Sequence, residues 1–243
     1  MTNESSKSQE RVIEPPGETR ASPPSDDPLA AGLRRFGPLG ILAIVVIFAG
    51  NLVVAPFSAL LALAWAYRSR TPWREIGYVA PRSWIGSLAI GIVFGVAFKL
   101  FMKIIVMPLL GADPINQTYH YLVANPAGLL GVLYAVTVGG GFTEETVFRG
   151  FAFERLGKLF GSSLGARTAT VLLTTALFAL LHYPDQGLSG VEQAAFTGLV
   201  FGTIFAVTRR IWMPMFAHAA FDWTAIAIIY WDLESKVAHL VFK

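Results

Sequence analysis

The sequence predicts an all-α fold, a polytopic transmembrane helical bundle of about six spans preceded by a disordered N-terminal tail. Composition is the first reason: 54% of the 243 residues are hydrophobic and 14% charged, against about 25% charged in an average soluble protein, and mean hydropathy is +0.54. The second is spacing, because the charges cluster between apolar runs that reach the roughly 20 residues needed to cross hydrocarbon. The third is the lack of an internal repeat or of the alternating pattern of a transmembrane β-barrel. With no cysteine in the chain, thiol nucleophiles, disulfides, iron–sulfur clusters and thiolate zinc sites are excluded. A net charge of +3 and a pI near 9.3 would suit nucleic acid, but the basic residues fall in short loops where lipid headgroups explain them. The lipid bilayer is therefore an expected partner and nucleic acid is not.

Residues 1–35 hold five of the 14 prolines with five basic and six acidic residues, a composition that predicts disorder. They lack a cleavable signal pattern, so the first apolar segment is expected to be retained as an anchor. Residues 36–243 then form the membrane domain. Leu39–Tyr67 carries no charge and makes the first span, although Asn51 and Pro56 leave open a kink or a broken helix that re-enters the same side. Trp84–Leu110, Ala127–Arg155, Arg167–His182, Val191–Thr208 and Ile211–Trp231 make the rest.

Cytoplasmic loops should be rich in Lys and Arg. Arg68, Arg70, Arg74 and Arg82 fall in one loop, Arg155, Lys158 and Arg167 in the next but one, and Arg209 with Arg210 in the next but one again, whereas 111–126 and 183–190 have neither residue. Arg34 and Arg35 break this alternation if Leu39–Tyr67 crosses once; a translocated tail or a re-entrant first segment restores it. Lys99 and Lys103 share a face of the second span. Lys103 can snorkel to an interface, and Lys99 is less comfortable.

Chemistry concentrates where charge is most expensive. Glu144, Glu145 and Arg149 end an uncharged run from Pro114 to Thr143, and each such residue costs roughly 2.5–3.5 kcal/mol at the centre of a span. Residues four apart share a helix face, so Glu145 should pair with Arg149 and leave Glu144 on a neighbouring face, free to address a water. By the same spacing Phe178 should pack beside His182, and His218 and Asp222 should point into one cavity. Gathered together, Glu144, His182 and His218 supply a base, a proton carrier and a polarising group, which is what amide hydrolysis requires.

Glu144-Glu145-xxx-Arg149, Phe178-xxx-His182 and His218-xxx-Asp222, in that order on successive apolar segments, resemble the CAAX prenyl endopeptidase and bacteriocin-processing family of intramembrane proteases, over roughly residues 125–231. The resemblance implies an endopeptidase whose substrate is a lipophilic or prenylated peptide or protein, with a cavity open to the cytoplasmic side. It further implies that Glu144 is the general base, that His182 helps it activate water, and that His218 and Asp222 form the oxyanion side, with Glu145 and Arg149 completing the site. The family's last motif position is often Asn, which can donate a hydrogen bond, whereas an ionised Asp222 can only accept. Asp222 then either donates as the neutral acid or orients His218, and the i, i+4 geometry favours the second. No cofactor is expected; the alternative is zinc held by Glu144, His182 and His218, without the His-Glu-xx-His helix of zinc proteases.

Two other readings compete. Gly161-Ser162-Ser163-Leu164-Gly165 fits the G-x-S-x-G string, which would make Ser163 a serine nucleophile if it stood on a strand-to-helix turn. Buried Glu, His, Arg and Asp also line ion and proton paths in transporters, but nothing repeats between the halves of this chain. Lengths along the helices leave a puzzle: at about 1.5 Å per residue, Glu144, His218 and His182 lie roughly 16, 12 and 22 Å from the basic ends of their spans. They come level if the fourth span is strongly tilted, if Arg167 begins it inside a wet cavity, or if the span boundaries lie several residues away.

Overall fold

The computed structural model describes residues 27–53 and 55–242, and it is helical throughout the membrane domain. Nine helices are used below: α1 (Pro28–Arg34), α2 (Pro38–Val53), α3 (Ala55–Arg68), α4 (Trp84–Leu109), α5 (Pro126–Phe160), α6 (Leu164–Leu181), α7 (Tyr183–Thr208), α8 (Trp212–Tyr230) and α9 (Glu234–Ala238). Their starts follow side chains that satisfy the free N–H groups of a first turn. Asp27 caps α1, Ser83 caps α4, Asn125 caps α5 and Ser163 caps α6.

Among the described residues, four helices, α4 to α7, are long and apolar enough to cross a membrane, or five if the pair Pro28–Arg34 and Pro38–Asn51, bent by 62°, is one span. The expected sixth span, Ile211–Trp231, is helical over Trp212–Tyr230 but falls short of the other four in apolarity. It carries His218 and Asp222 inward instead of a uniform apolar surface outward. Of the tail expected over residues 1–35, residues 1–26 lie outside the described residues. Pro28–Arg34 is helical with Ala30 fully buried, so ordered chain begins earlier than composition suggests.

Leu39–Tyr67 is not a single crossing. Ser58 Oγ donates to Ile47 O at 2.7 Å and Trp65 Nε1 donates to Leu33 O at 3.1 Å, so α3 returns beside α2 to the level where α1 ends. Arg155 joins the same corner, donating to Arg34 O at 2.9 Å while its guanidinium lies 4.6 Å from the Trp65 ring and 5.2 Å from that of Phe36. Arg34 and Arg35 therefore share a face with Arg68 and Arg155. The re-entrant alternative resolves the misplaced charges.

α8 runs through the middle of the bundle, packed against α4 on one side and α5 on the other. Small residues let it do so. A Cβ on Gly95 would lie 2.1 Å from Ala217 O, one on Gly91 2.6 Å from Phe216 Cβ, and one on Gly141 3.0 Å from Ala219 Cβ. Gly91-xxx-Gly95 is the small-xxx-small pattern by which helices without a hydrophobic drive between them reach dispersion contact in lipid. From Ala135 to Ala152, α5 is widened to π geometry, a form found mostly at functional sites; it spans the acidic motif. α7 is broken at Gly187, whose φ of 61° is non-helical.

Overpacking costs about 1–3 kcal/mol or more where nothing can move. Gly95→Ala is accordingly expected to lower the thermal unfolding midpoint of the purified protein in detergent. Gly131→Ala on α5, where an added Cβ meets nothing within 4 Å, should leave it unchanged or raise it.

Candidate active site

The acidic motif builds a buried lock. Glu145 is fully buried, and its Oε1 lies 2.9 Å from Arg149 Nη1, one turn on. The same oxygen accepts from His218 Nδ1 at 2.7 Å, so a single carboxylate ties α5 to α8. The Arg149 guanidinium sits 4.8 Å from the Phe178 ring and 5.7 Å from the Phe201 ring, which brings α6 and α7 onto the same ion pair. Breaking a buried pair of this kind is costly because the remaining charge keeps its desolvation penalty without its partner.

Glu144 is placed differently. It lines a cavity of about 410 Å³ with His182, His218 and Asp222, and its side chain keeps 21% exposure where that of Glu145 has none. His218 Nε2 faces the cavity, 3.6 Å from Glu144 Oε2 and 3.7 Å from Asp222 Oδ2. These are ion-pair separations rather than hydrogen bonds. His182 caps the end of α6, and its Nδ1 donates to Phe178 O at 2.8 Å. Because a backbone carbonyl only accepts, the proton is fixed on Nδ1 and the neutral ring has its lone pair on Nε2. The Phe178 ring packs 4.6 Å from the His182 ring. All six expected residues thus fall around one point: four on the cavity, with Glu145 and Arg149 directly behind His218.

One expectation changes. Asp222 was expected to orient His218, but the partner within hydrogen-bonding distance is Glu145. The i, i+4 spacing on α8 does bring Asp222 to the imidazole, from the cavity side and beyond hydrogen-bond reach. Gly140 makes room for it, since a Cβ there would lie 2.5 Å from Asp222 Oδ2. Ser163 is the N-cap of α6, its Oγ accepting from Ala166 N at 3.1 Å, which accounts for the Gly/Ser string as a turn.

Other lining residues were not foreseen. Tyr119 and Asn116 come from the loop before α5, Gln186 and Gln193 from α7. Burial, reinforced by Asp222, pushes the Tyr119 hydroxyl above its ordinary value, so it enters the cavity as a neutral donor. Nothing in the sequence places these residues at the cavity. Lys103, expected to snorkel, instead donates to Pro114 O and lies 3.4 Å from Glu234 Oε1. Among the described residues no three of His, Asp and Glu come together as a metal-holding group.

Residues 126–224 match a family model, the Rce1-like type II CAAX prenyl endopeptidases. The match covers 99 of the 243 residues. The Rce1-like region starts at the first residue of α5 and ends in α8, so it takes in every residue of the lock and the four on the cavity. No curated protein and no solved structure matches the chain. The matched family is one of prenyl endopeptidases, and the likeness is in keeping with the multi-pass helical fold.

For the lock itself, Arg149→Met should destabilise the Rce1-like domain by about 3–5 kcal/mol, the usual cost of orphaning a buried charge. Lys158→Met removes two ion pairs, to Glu75 and Glu154, from a lysine that is 40% exposed and should cost under about 1 kcal/mol. Denaturation of the two purified variants side by side checks the contrast.

Proposed function

We propose that this protein is a glutamate-dependent intramembrane endopeptidase that hydrolyses a peptide bond in a lipophilic or prenylated peptide or protein substrate, with no metal cofactor. The observation that carries the reading is the division of labour between adjacent carboxylates. Glu145 is consumed by Arg149 and His218, while Glu144 faces a cavity and, among the described residues, has neither Lys nor Arg within ion-pair distance.

In this mechanism a water sits between Glu144 and His182 Nε2. Glu144 takes one proton as the water oxygen bonds to the substrate carbonyl carbon, and His182 accepts the water's other hydrogen as a hydrogen bond, fixing its orientation. Negative charge passes to the carbonyl oxygen. A proton on His218 Nε2, retained by Asp222 and Glu144 around it, stabilises that oxyanion, and Glu145 holds the ring in place from Nδ1. Collapse re-forms the carbonyl, the carbon–nitrogen bond breaks, and the proton held by Glu144 goes to the leaving amine. The apolar wall of Val132, Val136, Phe221, Ile226 and Ile229 suits a lipophilic substrate.

Two cues bear on the side from which substrate arrives. The resemblance implied a cytoplasmic opening, but Tyr119, Tyr121 and Gln186 at the cavity belong to the loops that lack Lys and Arg, and Arg34, Arg68, Arg155 and Arg167 gather at the opposite ends of the helices. By the positive-inside rule the mouth faces away from the cytoplasm, and we adopt that orientation. The absence of cysteine makes it directly testable with single-cysteine variants in sealed, oriented vesicles. An impermeant thiol reagent should label Tyr121→Cys from the non-cytoplasmic face and Leu159→Cys from the cytoplasmic one; the reverse pattern restores the cytoplasmic opening.

The chemistry is tested by comparative peptidomics of membranes from cells carrying wild type and Glu144→Gln. Loss of a general base lowers rates by about 10²–10⁴-fold, so cleavage products should vanish from the variant, persist in Ser163→Ala, and survive exhaustive chelation of the wild type. Products that remain in Glu144→Gln and disappear in Ser163→Ala would establish a serine mechanism instead.

A further inference from the structure

A cavity of about 490 Å³ lies at the basic end of the bundle, away from the catalytic one, and takes no part in the chemistry above. Its walls come from the ends of α5, α6 and α7, and it carries three basic residues, Lys158, Arg167 and Arg209. The acidic residues beside them, Glu75 and Glu154, are already taken. Lys158 Nζ lies 3.1 Å from Glu75 Oε2 and 2.6 Å from Glu154 Oε1, and Glu154 also holds Arg155. Among the described residues, neither Arg167 nor Arg209 has a carboxylate within ion-pair distance.

Arg209 is held in place without being neutralised. It is the left-handed C-cap of α7, with φ of 53°, its Nη2 donates to Glu75 O at 3.1 Å, and its guanidinium lies 5.2 Å from the centre of the Phe205 ring. The rest of its N–H groups stay open. Partial burial and, next, the charge of Arg167 lower its pKa below the ordinary value, each more strongly than Glu75 or Glu154 raises it. Two like charges from different helix ends thus line one space with no carboxylate assigned to either. Their complement is an anion that two guanidinium groups can share, and phosphate oxygens match that geometry.

The surroundings say which phosphate. The pocket sits where two spanning helices meet the membrane boundary, at the start of α6 and the end of α7. Its neighbours are the basic loops that face the cytoplasm by the positive-inside rule, and basic pockets between helices on that side suit anionic headgroups. Val207 lines the pocket and is 78% exposed, and Leu164 at the start of α6 is 81% exposed. Thr203 and Leu199 continue the Val207 stripe along α7 at four-residue spacing, and both are exposed. A polar recess at the arginines therefore adjoins a track that runs into the bilayer.

We propose that this pocket binds an anionic glycerophospholipid of the cytoplasmic leaflet, its phosphate shared by Arg167 and Arg209 and its acyl chains laid along the outer face of α7. The headgroup bridges the start of α6 to the end of α7 beside Lys158 of α5, so the lipid ties together three helices that carry Glu144, His182 and Gln193 elsewhere along their length. The site is separate from the catalytic cavity, and the inference does not depend on the protease reading.

The test is native mass spectrometry of the full-length protein released from detergent, with dioleoyl phosphatidylglycerol and dioleoyl phosphatidylcholine added in equal amounts. The two lipids share the phosphodiester, but only the first has a net charge. Wild type should retain the anionic lipid as its first adduct in about tenfold excess, the order expected for two arginines beside an anionic headgroup. Arg167→Gln and Arg209→Asn should each cut that excess severalfold; Asn suits the left-handed backbone at 209. Arg82→Gln, which removes a basic residue at the same end of the bundle but outside the pocket, should keep it. Thermal unfolding shows that each variant folds, and two separate arginines keep the test open if one variant does not. Equal adducts in wild type, an excess that persists in either folded pocket variant, or an equal loss in Arg82→Gln overturns the site. Displacement of the lipid by glycerol 3-phosphate at the same concentration overturns the lipid assignment in favour of a soluble phosphate ester.

Discussion

A single buried carboxylate organises this molecule. Glu145 accepts from His218 on α8 and pairs with Arg149 on its own helix, and Arg149 in turn lies against aromatic rings from α6 and α7. Four helices thus converge on one ion pair. In a membrane, where apolar side chains gain little by leaving lipid for protein, a buried charge that must find its partner is a strong constraint on how helices register. The same interaction sets the position of His218, so packing specificity and the geometry of the cavity have one physical origin.

The second constraint is close approach. Gly91 and Gly95 on α4 and Gly141 on α5 admit the backbone of α8 on two sides, which places His218 and Asp222 within ion-pair reach of Glu144. Any bulk at these positions would push α8 outward and lengthen separations of 3.6 and 3.7 Å beyond useful electrostatics. The π-widened stretch of α5 adds to this, carrying both glutamates through the point where the helices are nearest. Dispersion contact at the glycines and the charge lock at Glu145 reinforce each other, since each holds the helices at the spacing that the other needs.

Polar residues in the remainder of the bundle divide into satisfied and available groups. Arg155 is spent on Glu154, Arg34 O and two aromatic rings, Lys103 on Glu234 and Pro114 O, and Ser163 on the start of α6. Glu144, His182 Nε2, Asp222 and Lys99 keep unspent hydrogen-bonding capacity on connected cavities. Desolvation makes such capacity expensive, and the concentration of several such ionisable groups on connected cavities is what distinguishes a site from helix-joining polarity scattered through a bundle.

Much of this was legible in the chain itself. Hydropathy and periodicity are local properties, so the membrane class, the boundaries of α4, the Glu145–Arg149 pair, the Phe178–His182 contact and the gathering of His218 with Asp222 follow from apolar runs and from residues four apart on a helix. Relations between distant segments are not local, and there the sequence left alternatives open. That Leu39–Tyr67 folds back, that Glu145 rather than Asp222 positions His218, that Tyr119 and Gln193 join the cavity and that Lys99 has no carboxylate beside it depend on which helix faces meet. Those meetings are set by glycine contacts and charge pairing between elements up to about a hundred residues apart, which no reading of spacing along one helix contains.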